Sequence, residues 1–329
     1  MIGVNYRGGV HVPSIDLWMD PRMPQGLAFV SHAHSDHAGK HRETILSAGT
    51  SRLMRSRIGA SPQEHVLDFG ETRELRGAQF TLLPAGHVHG SAQLHLETGE
   101  GSLLYTGDFK LRAGLSSEPI AWRGAETLIM ETTFGKPEFV FPPAEQVLGD
   151  MVQFCREALE EGAVPVLLGY SLGKAQEILC AVAAAGLKPM LHGAVSKLTK
   201  IYREGVPGMP EFAEYEAANM AGHVLICPPS VRNSRMVQRI KKRRVAMVTG
   251  WGLTPGAVHR YQVDAVFPLS DHAGYDDLLK YVELVQPQRV LTLHGYASEF
   301  ARDLRRRGVE AWSLVSPDQL EFAEMFEGL

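Results

Sequence analysis

The chain has 329 residues, 44% hydrophobic and 21% charged, with 33 Lys and Arg against 37 Asp and Glu for a formal net charge of −4. That length favours two domains over one, and the balance excludes disorder and collagen-like repeats. A globally basic nucleic-acid binder is also excluded, so any such binding needs a local basic patch or bound metal.

The first predicted strand, 27–31 (LAFVS), is a short apolar run that ends in a histidine cluster. Strands are expected at 79–84, 93–98 and 102–106, with glycines between them, and at 127–131 (TLIME), which ends in a carboxylate. From about residue 134 the pattern changes. Residues 144–161 carry apolar side chains at helical spacing and stop at Gly162. Strands at 164–168, 188–192, 224–227, 245–249 and 265–267 then alternate with helices from about 174 and 194. That order argues for a mainly parallel sheet covered by helices. The chain closes with a helix at 275–285, a strand at 290–293, a helix at 298–307 and a strand at 310–314. Cys155, Cys180 and Cys227 are far apart and form no CxxC, so a disulfide framework is not expected and a reducing cytosol is. No apolar run reaches membrane-spanning length, and the first residues lack a signal-peptide pattern.

Most of the chemical information sits in His32-Ala33-His34-Ser35-Asp36-His37, directly after the first strand. Four metal-competent side chains within six positions, on a loop at a strand end, let two residues face one point and two face another. That spacing suits two ions. His87 (in AGHVHGSA) and Asp108 (in YTGDFK) each follow a predicted strand and would complete such a site. Taken alone, either is an ordinary turn residue.

Together, in this order, the three motifs resemble the metallo-β-lactamase superfamily. The resemblance implies that His32, His34, His87 and Asp108 surround one metal. Asp36 and His37 then face a second, with Asp108 bridging. Asp20 is the match for the acidic residue that supports the loop, with Asp16 as the alternative. Two divalent ions, Zn²⁺ or alternatively Mn²⁺, would supply a hydroxide near neutral pH and clamp a phosphoryl oxygen.

Later motifs resemble the β-CASP nuclease branch: Glu131 in METTFG, the strand–turn–helix segment GYSLGKAQE, His272 in LSDHA and His294 in LHGY. The implied fold is α/β, a metallo-β-lactamase αββα sandwich in two parts, 1–135 and 268–329, with an inserted β-CASP α/β domain at 136–267. The implied roles make His272 the general acid and Glu131 the carboxylate that orients it. Asp36 and Asp108 hold metal and water, and His294 is a further ligand of the second metal. Ser171 and Lys174, at a Gly-rich helix start, and Ser230 and Asn233, in PPSVRNS, are candidate phosphate contacts. The basic runs 241–244 and 305–307 could contact a nucleic acid or be solvated surface.

The phrases SHAHSDHA, PAGHVHGSAQ, TGDFK, ETTFG, LGKAQ, LHGAV, CPPS, LSDHA and LHGY are similar to those of bacterial ligase-associated DNA exonucleases. This implies a metal-dependent exonuclease on single-stranded DNA ends, partnered with an ATP-dependent DNA ligase, cytoplasmic and without a membrane. His294 stands where eukaryotic DNA-cleaving members carry valine, so an RNA-processing ribonuclease is the alternative. A non-catalytic nucleic-acid platform and a thioester or lactam hydrolase are two further readings from other classes.

Overall fold

The first half of the chain is rich in strands too short to be stable alone, and they gain stability by stacking as two sheets over one apolar layer. The computed structural model describes residues 1–315, so the last part of the expected 268–329 segment, 316–329, lies outside the described residues. The chain divides into two compact units. Of the described residues, the first holds 1–113, 118–139 and 272–315; the second holds 114–117 and 140–271.

One sheet of the first unit has six strands in sequence order: Asn5–Tyr6, Val10–Val12, Leu17–Met19, Leu27–Phe29, Glu43–Ser47 and Gln63–Leu67. The other has seven, in the order Ala311–Ser313, Arg289–Leu293, Thr127–Glu131, Gly101–Tyr105, Ala92–Thr98, Ala78–Pro84 and Thr72–Leu75. In that second sheet the first three pairings are parallel and the rest antiparallel. Phe29, Ile45, Leu82, Leu94, Leu103 and Ile129 belong to one buried cluster shared by the two sheets. Their chain neighbours Leu104, Leu128 and Met130 point the other way. They pack with Leu278, Tyr281, Phe300 and Leu304 of the helices Tyr275–Val285 and Ala297–Arg306. This is why TLIME reads as unbroken apolar sequence: both faces of the strand are covered. The helix Ala48–Arg57 follows Glu43–Ser47, with Ser47 Oγ accepting from Thr50 N at its start. The result is a helix–sheet–sheet–helix sandwich.

Several elements depart from the sequence expectation. The strand at 27–31 stops at Phe29, which frees Val30 and Ser31 for the histidine loop. In this unit six strands and the helix Ala48–Arg57 had no sequence signal. Some of those strands have only two or three residues, and Gln63–Leu67 is mostly polar.

The second unit is a six-stranded sheet, all parallel, in the order Ala213–Glu214, Lys188–Leu191, His223–Cys227, Val164–Leu168, Arg243–Val248 and Ala265–Phe267. Parallel neighbours need long crossovers, and Lys174–Ala184 and Gly193–Gly205 are the principal helices between its strands, while Ala144–Glu160 leads into the first of them. The three cysteines are free, and burial pushes the Cys155 and Cys227 thiols up to about 12 and the Cys180 thiol up to about 11. Among the described residues no helix is long and apolar enough to cross a membrane.

Candidate metal centre

The centre lies wholly in the first unit, at strand ends of both sheets. After Phe29 the chain leaves its strand, and a tight turn closes with His37 N and Ala38 N donating to His34 O at 3.2 and 2.8 Å. This turn brings three imidazoles of one short loop inward. His87 arrives from the turn after Ala78–Pro84 and Asp108 from the turn after Gly101–Tyr105.

The first group is compact. His34 Nδ1 lies 3.0 Å from His32 Nε2 and 3.1 Å from His87 Nε2. Asp108 Oδ2 lies 3.5 Å from His32 Nε2 and 3.9 Å from His87 Nε2. Ligand atoms about 2.0–2.1 Å from a tetrahedral ion stand roughly 3.3–3.4 Å apart, so these spacings fit one. Asp108 Oδ2 also lies 3.3 Å from His37 Nε2, which in turn lies 3.8 Å from Asp36 Oδ2. The His294 ring tilts over that of His37 with centroids 5.4 Å apart. One carboxylate oxygen thus faces imidazoles of both expected groups. Asp36 remains largely exposed at the rim.

The surroundings orient these rings. Asp20 is buried and accepts from Ser31 N (2.7 Å), Ser31 Oγ (2.6 Å), His37 Nδ1 (2.9 Å) and Tyr105 OH (2.8 Å). Since the Ser31 hydroxyl has one proton to give, His32 Nδ1 at 3.0 Å is the donor to Ser31 Oγ. Network logic thereby assigns Nδ1–H to both His32 and His37 and leaves each Nε2 facing Asp108. Asp16, the alternative to Asp20, is exposed and pairs with His11.

Electrostatics favour a cation here. Burial, aided by His37 and His87, holds His32 well below its usual value, so its imidazole is neutral. Burial also lowers His37, but Asp108 and Asp20 outweigh it and hold that ring well above. Burial would raise Asp108, yet the neighbouring His37 and His272 keep it well below the usual carboxylate range. Two buried carboxylates therefore demand positive charge, and the donor set of imidazoles plus carboxylate is one that a divalent ion satisfies.

Glu131 and His272 form a second assembly beside the first. His272 Nδ1 lies 2.8 Å from Glu131 Oε1, and its ring centroid is 4.6 Å from that of His87. Glu131 is buried and also accepts from Phe109 N at 2.9 Å, Thr133 N at 3.3 Å and the Thr133 hydroxyl. His294 has φ +59 and Gly295 φ +58, a left-handed pair at the end of Arg289–Leu293. Thr132 Oγ1 donates to His294 O at 2.6 Å and pins that bend. A Cβ on Gly295 would stand 2.4 Å from Thr133 Cα, so the two loops approach as closely as backbone allows.

The sequence reading did not single out Ser31, Tyr105, Thr132, Thr133 or the His89–Glu118 pair. Glu118 meets His89 Nδ1 at 2.7 Å and Gly90 N at 2.9 Å, bracing the His87 turn. Each of these except Glu118 lies within three residues of one that the motifs had marked.

The phosphate candidates lie in the second unit. Lys174 requires a correction: its ammonium is buried, 2.7 Å from Asp271 Oδ1 and 3.9 Å from Glu177 Oε2. The Asp271 contact is a close ion pair whose angles miss those of a hydrogen bond, and it occupies the charge that a phosphate would need. The turn is closed internally, since Gln176 Oε1 accepts from Gly173 N and Gln176 Nε2 donates to Ser171 O and Thr199 Oγ1. Ser171 is half-buried, and Ser230 and Asn233 are exposed.

Residues 260–314 match the family described as "Zn-dependent metallo-hydrolase RNA specificity domain". The chain is 55% identical over 97% of its length to a protein of Opitutus terrae named "Probable DNA ligase", covering 32% of it. It is 24% identical over 86% of its length to "DNA cross-link repair protein SNM1" of Arabidopsis thaliana, covering 64%. It is also 26% identical over 77% of its length to "Transcription termination factor FttA" of Pyrococcus abyssi, covering 50%. The chain belongs to the β-CASP branch of the metallo-β-lactamase superfamily. In each of these three β-CASP relatives it spans less than two thirds of the whole protein. A crystal structure of a protein of unknown function from Enterococcus faecalis V583 shares the fold. Its TM-score is 0.60 at 15% identity, over 87% of this chain and 78% of that one.

Proposed function

We propose that this chain is a metal-dependent phosphodiesterase, an exonuclease acting on single-stranded DNA ends in ligase-linked repair. The observation that carries the reading is the pairing of a histidine–carboxylate metal cluster with a separate His272–Glu131 assembly beside it. Two divalent ions, Zn²⁺ or Mn²⁺, would polarise the phosphodiester and lower the pKa of the attacking water when bound. His32, His34, His87 and Asp108 would hold one, and Asp36, His37, His294 and the shared Asp108 the other.

The chain's own residues supply the rest. Glu131 keeps Nδ1 of His272 protonated and stabilises the ring as an imidazolium, so that His272 gives a proton to the departing sugar oxygen. Asp20 and Ser31 hold His37 and His32 in the tautomers that present Nε2 inward. We read the inserted segment, 136–267, as the domain that handles the strand.

Support for the ligase link comes from the Opitutus relative, a ligase-named protein in which a segment similar to this whole chain makes up a third of the length. The three free thiols suit a reducing cytosol. A second reading, RNA cleavage, is favoured by His294 and by the family description matched at residues 260–314.

The test uses DNA and RNA single strands of one sequence, labelled separately at the 5′ and 3′ ends. Each is incubated with metal-loaded protein and with His272→Ala as the contamination control. A shortening ladder on DNA is the expected result. Cleavage of RNA alone would move the protein to RNA processing, and cleavage of neither would overturn the nuclease reading.

A further inference from the structure

Next to His37 and His294 the first unit forms a narrow cleft whose lining includes Tyr6, Gly9, Arg22 and Asp36. Arg22 and Asp36 are its exposed charges, opposite in sign, and they do not pair with one another. Arg22 makes no ion pair and no side-chain hydrogen bond with any described residue. Its backbone, in contrast, is anchored: Arg22 N donates to Gly8 O at 2.9 Å. The preceding Pro21 lies so close to Gly9 that a Cβ there would stand 2.6 Å from Pro21 Cα. A guanidinium is thus carried on a fixed stem at a cleft that leads to the candidate metal ligands, on a chain whose net charge is negative.

Opposite charges that share a cleft without pairing with one another call for two different partners. Asp36 would take a cation with the rest of the candidate metal centre, which leaves Arg22 for an anion. Guanidinium donors match two oxygens of a phosphodiester at once. Neither His272 nor Glu131 lines this cleft, whereas the scissile phosphate must lie within reach of His272. Their absence from its lining points Arg22 to a different phosphate.

We propose that Arg22 grips the phosphate of the nucleotide adjoining the scissile bond, on the His37–His294 flank, as a substrate-binding residue. The inference rests on the nuclease reading above.

The test compares wild type, Arg22→Gln and Arg22→Lys, all metal-loaded, on a single-stranded DNA oligonucleotide and on bis(p-nitrophenyl) phosphate, which has no second phosphate. Arg22→Gln should raise KM for DNA about tenfold with kcat within about twofold, the loss of one charged hydrogen-bonded contact. The slope of log KM against log salt should weaken by about 0.7, one phosphate contact on a single strand. Bound metal and turnover of the small ester should match wild type, and Arg22→Lys should restore the salt slope. An unchanged KM and salt slope in Arg22→Gln, with wild type active on DNA, would overturn this inference alone. Equal losses on both substrates, or a fall in metal content, would also overturn it by placing Arg22 in the metal centre. A wild type that cleaves no nucleic acid would overturn the nuclease reading and this inference with it.

Discussion

Replacing His272 with alanine separates proton donation from every other role that this ring could have. Its Nδ1 lies 2.8 Å from a buried carboxylate oxygen, and Glu131 takes three further donors from Phe109 N and from Thr133 N and Oγ1. The ring is therefore held in one orientation against a carboxylate, the arrangement a general acid needs. General acid catalysis contributes about 10²- to 10⁴-fold, and His272→Ala should lower kcat on DNA by that factor. Glu131→Gln would place an amide N–H against at least one of those donors. It should lose the difference of a charged hydrogen bond, about 1.5–3 kcal/mol or roughly 10- to 150-fold. The decisive assay repeats both measurements on a nucleoside p-nitrophenyl phosphate, whose leaving group departs as an anion without a proton. His272→Ala should then act at close to the wild-type rate. An equal loss on both substrates, with metal content intact, would refute the acid role and leave His272 as a positioning residue.

Three other outcomes follow from particular contacts. Lys174→Met removes the cation that pairs with buried Asp271 and Glu177 and should destabilise the protein by about 3–5 kcal/mol in denaturant unfolding; a loss under about 1 kcal/mol would mean that the pair is solvated. Gly295→Ala forces a Cβ to within 2.4 Å of Thr133 Cα at a left-handed φ, and should lower both the melting temperature and the metal content by displacing His294; unchanged values would show that the two loops part freely. Burial alone would raise Glu64, but Ser51, Arg55 and the Ser61 N–H hold it below its unfolded value of about 4.3. Its stabilisation is present above that value and is lost as pH falls through the folded one. The melting difference between wild type and Glu64→Gln should therefore shrink from pH 6 to pH 3, and a constant difference would refute the assignment.

By itself the sequence determined the residues that could bind a metal and the strand ends on which they sit. Histidines and aspartates crowded after short apolar runs are a local signal, because a buried strand, a tight turn and a ligand-type side chain each leave a mark on adjacent residues. The alternating second unit was equally legible, since long helices and buried parallel strands impose their periods on many consecutive positions. The early strands were not. Asn5–Tyr6 and Leu17–Met19 are too short for a period to show, and they exist only because neighbours across the sheet complete their hydrogen bonds.

Tertiary structure alone decided which side chains act together. That Tyr105 and Asp20, 85 residues apart, share a hydrogen bond is invisible to spacing, as is the return of His272 to Glu131 across 141 residues. Lys174 shows the same in reverse. Its Gly-rich turn resembles a phosphate site, but the fold buries its ammonium against Asp271, and the desolvated charge is paired there. Residue type and local pattern reveal what a side chain can do. Burial and long-range partners, set by how the sheets close on one another, decide what it does.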